Sequence, residues 1–334
     1  MSLWLELALM LVIILISAQL FSNALEYFSE NAGLSSGVTG SILAAISTAL
    51  PETMVPLLAV IAGTPDKLVN QEISVGAILG APLMLSTLST SIMALSVIKK
   101  RGIYGRIKPE KTGFIRDVNF FLMAFFLAAI AMYVPNEPRY YRSVISILLI
   151  GLYSTYIIMT LRASKNLVQN GHGVTPTEPL FFTKLGIKSS TKLIVMQLLI
   201  GLCLLLIGAK GFINTIHAVS IELGLSALLL SLLIIPLATE LPEKVNSVLW
   251  VRDKKDTLGF GNITGAMVFQ GTLLPAFGIL LTPWQPGKVV LTGIVMTFIA
   301  ALWLRFNASS KGLSIAALLV NGLLYVTYLV LILS

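Results

Sequence analysis

Two carboxylates and a proline interrupt a long apolar segment in the second half of the chain. The segment runs roughly from residue 223 to residue 251, and the interruption consists of Thr239, Glu240, Leu241, Pro242 and Glu243. Pro242 has no backbone N–H, and in a helix its ring displaces the carbonyl group four residues earlier, that of Ala238. A displaced carbonyl, a hydroxyl and two carboxylates form a set of oxygen ligands, which hard cations such as Ca²⁺ prefer. The pattern therefore predicts a cation site.

Acids in an apolar segment also have a simpler explanation. Charged side chains at membrane depth are costly, and they usually face a cavity, an ion path or each other. Lys210 and Lys244 are the bases in the apolar segments that lie near enough to pair with these acids. A kinked helix with internal ion pairs is therefore the alternative to a cation site.

The same pattern occurs earlier in the chain. Residues 17–57 align with residues 208–248 without a gap. The alignment places Asn23, Thr48 and the motif Leu50-Pro51-Glu52 on Asn214, Thr239 and the motif Leu241-Pro242-Glu243. Pro51 displaces the carbonyl of Ser47 as Pro242 displaces that of Ala238. An ungapped match of this length indicates an internal duplication.

The composition identifies the broad class of the protein. Hydrophobic residues make up 56% of the chain and charged residues 11%, and the mean hydropathy is +0.90. These values exclude a soluble globular protein. Cys203 is the only cysteine, so an intramolecular disulfide and a cysteine-rich metal site are both excluded.

Ten apolar runs are long enough to cross a membrane, for which a hydrocarbon core of about 30 Å requires roughly 20 helical residues. They lie near residues 3–25, 35–62, 72–98, 117–135, 141–162, 191–217, 222–250, 258–282, 288–306 and 312–333. Five spans in each copy of the duplication give the two copies opposite orientations, as in many secondary transporters. The expected fold is an all-α membrane protein of about ten transmembrane helices in two inverted five-helix repeats. The repeats are residues 1–163 and 191–334, and a central cytoplasmic linker, residues 164–190, joins them.

Lysine and arginine predict the orientation of the chain in the cell membrane. They concentrate in four loops that lie on one side of a ten-span arrangement: Lys99–Arg116, Arg162–Lys192, Arg252–Asp256 and Arg305–Lys311. Positive-inside bias places these loops in the cytoplasm and both termini outside. Basic loops beside anionic lipid account for the net charge of +8, so lipid is an expected partner and nucleic acid is not.

The duplicated segments resemble those of a known family. The residues that carry the resemblance are Gly33-Leu34-Ser35, Gly40, Ala45, Thr48 and Leu50-Pro51-Glu52, with their counterparts in the second copy. They are similar to the paired α-repeats of the cation/Ca²⁺ exchanger superfamily, and most similar to prokaryotic Na⁺/Ca²⁺ exchangers. The resemblance implies Ca²⁺ export by alternating access, driven by a gradient of a monovalent cation. It also implies that Glu52 and Glu243 hold the ions, and that Thr48 and Thr239 contribute oxygen ligands.

Both copies depart from the family pattern. The usual Gly-Thr-Ser before Leu-Pro-Glu is Ser47-Thr48-Ala49 in one copy and Ala238-Thr239-Glu240 in the other. Pro82 and Met267 stand where the family has side-chain oxygens, and Asn262 is the one Gly-Asn asparagine that remains. The expected site has thus lost oxygen ligands and gained an acid. Its candidate residues are Glu52, Glu243, Glu240, Thr48, Thr239, Ser47 and Asn262.

The chemistry of this set leaves the counter-ion open. Three carboxylates and the displaced carbonyls could supply the six to eight oxygens that Ca²⁺ takes. Clustered carboxylates repel one another, which favours uptake of a proton by one of them and suits H⁺ as the counter-ion. Carbonyl oxygens equally suit Na⁺. The expected function is a Ca²⁺ antiporter that uses Na⁺ or H⁺; the alternatives are exchange of another divalent cation for H⁺, and a cation channel.

An enzyme is not expected, because no histidine cluster, Ser/Lys pair or second nucleophile accompanies the acids. No cofactor is expected either. The expected partners are the transported Ca²⁺ and monovalent cation, and the chain is expected to act as a monomer.

Overall fold

The computed structural model describes residues 2–31, 50–168, 179–188 and 190–334. Ser47 and Thr48 therefore lie outside the described residues. So do residues 169–178 and 189 of the predicted linker, residues 164–190, and the side chain of Glu243. In chain order the elements are α1 (Leu3–Asn31), α2 (Leu50–Ala62), α3 (Lys67–Met84), a π-helical turn (Leu85–Ser89), α4 (Thr90–Arg101), β1 (Arg106–Ile107), α5 (Lys111–Ala131), α6 (Tyr140–Val168), a 3₁₀ turn (Phe181–Leu185), α7 (Thr191–Leu223), α8 (Ala227–Thr239), α9 (Leu241–Arg252), α10 (Asp256–Leu281), α11 (Lys288–Asn307), β2 (Leu313–Ser314) and α12 (Ile315–Leu333).

The predicted all-α class is confirmed, with one small addition. The strands β1 and β2 form a two-residue antiparallel ladder in which Arg106 lies opposite Ser314 and Ile107 opposite Leu313. Strands of two residues have too little side-chain alternation to be recognised from sequence. The ladder connects the segment after α4 with the start of α12.

Eight helical segments of the described chain are long and apolar enough to cross a membrane, so the chain is a multi-pass membrane protein. They are Leu3–Leu25, Lys67–Arg101, Lys111–Ala131, Tyr140–Ala163, Thr191–Leu223, Asp256–Leu281, Lys288–Asn307 and Ile315–Leu333. Each overlaps one of the ten predicted spans. The remaining two predicted spans contain shorter apolar helices, Pro51–Ala62 and Ala227–Leu237, and each of these spans carries a Leu-Pro-Glu motif.

The helices pack into two compact units. The first unit consists of residues 1–70 and 155–225, and the second of residues 71–154 and 226–334. Each unit therefore contains segments from both predicted repeats. The first unit includes α1, α2 and α7, and the second includes α4, α5 and α8–α12. Helices α3 and α6 are divided between the two units.

In the first unit, α1 packs along α7, and α2 also packs on α7. Gly201 of α7 brings the two longer helices close, because a Cβ atom there would lie only 2.9 Å from the backbone nitrogen of Phe21. Nearby, the amide of the buried Gln197 donates to the carbonyl of Leu20 and to Oδ1 of Asn23, each at 3.0 Å. These bonds satisfy polar groups that would otherwise be costly to bury.

In the second unit, two glycines of α3 allow close approach to α8. A side chain at Gly76 would collide with Ser231 and the carbonyl of Leu228. A side chain at Gly80 would collide with the carbonyl of Leu232, the group that Pro236 leaves without its usual helical partner. Glycines spaced four residues apart predict that two helices approach closely, and α3 and α8 show this approach.

A π-helical turn, Leu85–Ser89, separates α3 from α4 and begins three residues after Pro82 of α3. The hydroxyl of Thr87 donates to the carbonyl of Leu83 at 2.5 Å, and the amide of Asn321 in α12 donates to the carbonyl of Ser86 at 2.8 Å. These bonds give the carbonyl groups of Leu83 and Ser86 side-chain donors at the turn. The sequence predicts one continuous span near residues 72–98, and the structure shows it with this local widening.

Candidate cation site

The helix break predicted at the second Leu-Pro-Glu motif is present. Helix α8 ends at Thr239, Glu240 is a turn residue, and α9 begins at Leu241 with Pro242 in its first turn. Proline is well tolerated at this point because the first N–H groups of a helix lack intrahelical partners. Glu243 follows in the same first turn, where the positive end of the helix dipole stabilises a negative charge.

Glu240 is buried, and its partners belong to the second unit. Its residue is 1% exposed. The ammonium of Lys244 lies 3.2 Å from Oε2 of Glu240, and the amide of Gln270 in α10 donates to Oε1 at 3.2 Å. For Glu240, the structure therefore shows the alternative in which an acid of this segment pairs with a buried base.

Lys244 is itself enclosed, with the residue 5% exposed. Besides Glu240, its Nζ contacts the carbonyl oxygen of Pro236 at 3.2 Å and Sδ of Met84 at 2.7 Å. The backbone N–H of Glu240 also donates to the Pro236 carbonyl, at 3.2 Å. The ammonium thus lies at the end of α8, next to a carboxylate and a helix-terminal carbonyl.

Thr239 lies immediately before the break and is 2% exposed. Its hydroxyl donates to the carbonyl of Ile235 at 3.0 Å. The donor of this hydroxyl is therefore used within α8, while a hydroxyl oxygen retains lone pairs that can act as acceptors or ligands.

Asn262 is half-buried near the start of α10. Its amide nitrogen donates to the hydroxyl of Ser247 in α9 at 3.0 Å. The contact is an interhelical hydrogen bond between α9 and α10. It orients the side chain, so that any ligand role of Asn262 must fall to its amide oxygen.

Glu52 belongs to the first unit. It lies in the first described turn of α2, next to Pro51, and the residue is 5% exposed. Pro56 interrupts the hydrogen bonding of the same helix one turn later. The structure thus places a buried carboxylate at the first Leu-Pro-Glu motif.

Among the described side chains, no group of three His, Cys, Asp or Glu residues could hold a metal ion. Glu243 is outside that set, so the predicted cluster of three carboxylates stays a prediction. Lys244 and Gln270 are partners of Glu240 that lie outside the predicted set of site residues. Their signals were present, since Glu240 and Lys244 have the i,i+4 spacing of a helical ion pair and Gln270 is a polar residue in an apolar helix.

Long apolar helices and an acid-bearing break inside an apolar segment define a class, the membrane proteins built like secondary transporters. The sequence profile of the sodium/calcium exchanger protein family matches residues 2–162 and 193–334. The chain therefore belongs to the sodium/calcium exchanger family, and the resemblance to the cation/Ca²⁺ exchanger superfamily is confirmed.

Individual relatives are distant in sequence. A protein from Alkalimonas amylolytica named as antiporter CaxA is 22% identical over 281 residues, which cover 82% of this chain and 79% of that protein. The solved structure of the H⁺/Ca²⁺ exchanger CAX matches with a TM-score of 0.74 at 16% identity and covers 99% of this chain and 82% of that one. The sodium–calcium exchanger NCX_Mj matches with a TM-score of 0.56 at 19% identity and covers 98% and 97%. At such identities these structures support the fold alone.

Proposed function

We propose that this chain is a secondary active antiporter that moves Ca²⁺ across the membrane in exchange for Na⁺ or H⁺ by alternating access. The observation that carries the proposal is the duplicated Leu-Pro-Glu motif within a chain of the sodium/calcium exchanger family. One copy places a buried carboxylate in α2, and the other places Glu243 at the beginning of α9, where an apolar segment is broken. Proline-broken helices inside the membrane are the usual ion sites of secondary transporters.

In this proposal Glu52 and Glu243 are the charged ligands of the transported cation. Thr48 and Thr239 contribute hydroxyl or carbonyl oxygens, the carbonyl of Ser47 is a further ligand, and Asn262 offers its amide oxygen. Ca²⁺ accepts such a mixed set, because it binds carboxylates, carbonyls and water at about 2.3–2.6 Å. Glu240 enters the proposal as an acid whose neighbouring cation is an ammonium, which reduces its weight as a free ligand.

The ion pair of Glu240 also bears on the counter-ion. The sequence-based argument for H⁺ depends on three mutually repelling carboxylates, and an ammonium at 3.2 Å offsets one of the three charges. Na⁺ and H⁺ are therefore equal candidates in the proposal.

A flux measurement tests the proposal and selects the counter-ion. The purified full chain is sealed into lipid vesicles, and Ca²⁺ uptake is followed under two opposed conditions. One has an acid interior without Na⁺, and the other has Na⁺ inside only, at equal pH. Uptake against the Ca²⁺ gradient in the first condition identifies H⁺, and in the second Na⁺. If Ca²⁺ only equilibrates down its own gradient under both conditions, the antiporter proposal is wrong and the chain behaves as a channel.

We further propose ten transmembrane spans in two inverted repeats, with both termini outside the cell and the basic loops in the cytoplasm. The proposal rests on the odd number of predicted spans per repeat and on the positive-inside bias of the loops. It keeps the boundaries 1–163, 164–190 and 191–334 for the two repeats and the linker.

Cysteine labelling tests this orientation across a single helix. Tyr104 and Asn136 are exposed on either side of α5. In a Cys203→Ala background, a thiol at Tyr104 should react with an impermeant reagent only from the cytoplasmic side, and a thiol at Asn136 only from outside. Labelling of both positions from the same side would contradict the orientation.

A further inference from the structure

Lys244 is a buried cation for which neither the family resemblance nor the proposed exchange gives a reason. An ammonium enclosed to 5% exposure is costly unless charged and polar groups compensate it. Here the compensating atoms are Oε2 of Glu240 and the carbonyl oxygen of Pro236, each 3.2 Å from Nζ. Sδ of Met84, a weak acceptor, also contacts Nζ. Nζ donates hydrogen bonds to Pro236 and Met84, whereas Oε2 of Glu240 lies at ion-pair distance and accepts no hydrogen bond from the described residues.

The oxygen atoms around this ammonium are of the kinds that bind a monovalent metal ion. One is a carboxylate oxygen, and the other is a carbonyl oxygen in the last turn of α8, directly before the break. Carbonyls and carboxylates at broken helices are also the groups that coordinate Na⁺ in secondary transporters. The ammonium therefore lies where a monovalent cation would find one negative charge and a helix-terminal dipole.

Comparison of the two copies shows that the charges occur together. The ungapped alignment of residues 17–57 with residues 208–248 pairs Glu240 with Ala49 and Lys244 with Thr53. The second copy thus has both an acid and a base at positions where the first copy has neither. The acid adds no net charge to the second copy, because the base accompanies it at the favourable i,i+4 spacing.

We propose that Lys244 is a tethered counter-cation. Its ammonium takes the place of a monovalent metal ion beside Glu240, so that this carboxylate is neutralised permanently and binds no mobile cation. The inference deepens the proposed exchange of Ca²⁺ for a monovalent cation and rests on that function only for its consequence in transport. For transport, this means that the second copy binds one mobile cation fewer than it would if Glu240 were present without Lys244.

The decisive measurement is the binding of a monovalent cation to the purified full chain, followed with radioactive Na⁺ and Rb⁺ by equilibrium dialysis. Rb⁺ is included because an ammonium is closer in size to the larger alkali ions. Lys244→Met removes the charge and retains most of the side-chain volume. Lys244→Gln also removes the charge but keeps donors for Glu240 and Pro236, so it provides a second variant if the methionine variant does not fold.

Each single variant should bind one more Na⁺ or Rb⁺ per chain at saturation than the wild type does. Glu240→Gln combined with Lys244→Met is the matched control, and it should bind no additional ion because the carboxylate has gone as well. Ca²⁺ uptake by Lys244→Met should become dependent on added Na⁺ or Rb⁺. If a folded single variant binds no more monovalent cation than the wild type, the proposal is overturned. This result would not depend on Ca²⁺ flux, so a failure of the antiporter proposal would be recognised separately in the vesicle assay.

Discussion

Replacing Glu52 or Glu243 with glutamine is expected to abolish Ca²⁺ uptake while leaving a folded protein. Glutamine has nearly the same size as glutamate, but it lacks the negative charge with which a divalent cation is bound. Removing one partner of a buried charge interaction costs roughly 3 kcal/mol or more, which corresponds to on the order of a hundredfold in affinity. At low Ca²⁺ concentration, Ca²⁺ uptake by either variant should therefore fall below the detection limit of a vesicle assay.

The surroundings of the two residues give the reason for expecting the fold to persist. Glu52 is 5% exposed in the first described turn of α2, where an amide of the same shape fills the same volume. Glu243 occupies the first turn of α9, which Pro242 begins independently of the charge at residue 243. Elution as a single species in detergent provides the measurement of folding.

The control for these variants is Glu137→Gln. Glu137 lies between α5 and α6, and its side chain is 78% exposed beside Arg139. The same chemical change at this position should leave uptake unchanged. Wild-type uptake by the Glu243→Gln protein would refute the assignment of the second Leu-Pro-Glu motif as an ion site.

Hydropathy was sufficient to locate most of the helices in this chain. The eight long apolar segments coincide with predicted spans because each must hold all of its backbone hydrogen bonds within itself in lipid. The break before α9 was equally readable, since Pro242 removes a donor wherever it stands. The π-helical turn was not, and neither was the hydrogen bond that Asn321 of α12 donates to Ser86 in this turn. Contacts between distant helices of this kind leave no periodic signal in the sequence.

The sequence predicts the residue types of the candidate site, but it does not predict which groups each side chain contacts. Sequence alone gave two roles for Glu240, a cation ligand or a member of an ion pair, and could not choose between them. The choice depends on packing, which buries Glu240 together with Lys244 and brings Gln270 of α10 to the same carboxylate. The sequence equally leaves Asn262 open between a cation ligand and an interhelical hydrogen bond, and its amide nitrogen donates to Ser247 between α10 and α9. Which helix face turns toward a polar group is a result of packing, and a single sequence does not contain it.

The largest loss of stability is expected from a residue remote from the Leu-Pro-Glu motifs. Arg101, the last residue of α4, forms a two-pronged ion pair with Asp256 at the start of α10, with distances of 2.7 and 2.8 Å. The same guanidinium donates to the carbonyl of Val251 at the end of α9, and the backbone N–H of Lys108 donates to Asp256 at 2.7 Å. One arginine thus joins the ends of α4 and α9 to the beginning of α10.

Arg101→Met should therefore lower the free energy of unfolding by about 3 kcal/mol or more, because it leaves the carboxylate of Asp256 enclosed without a counter-charge. The side chains of the pair are only 17% and 9% exposed, so solvent screens the interaction weakly. Thermal unfolding in detergent should show a Tm several degrees lower than that of the wild type.

The matched control is Arg139→Met, which removes an arginine from a pair whose side chains are 84% and 78% exposed. Exposed pairs contribute no more than about 1 kcal/mol, so the Tm of this variant should equal that of the wild type. Equal melting of the Arg101→Met and Arg139→Met proteins would show that the junction of α4, α9 and α10 does not depend on the ion pair.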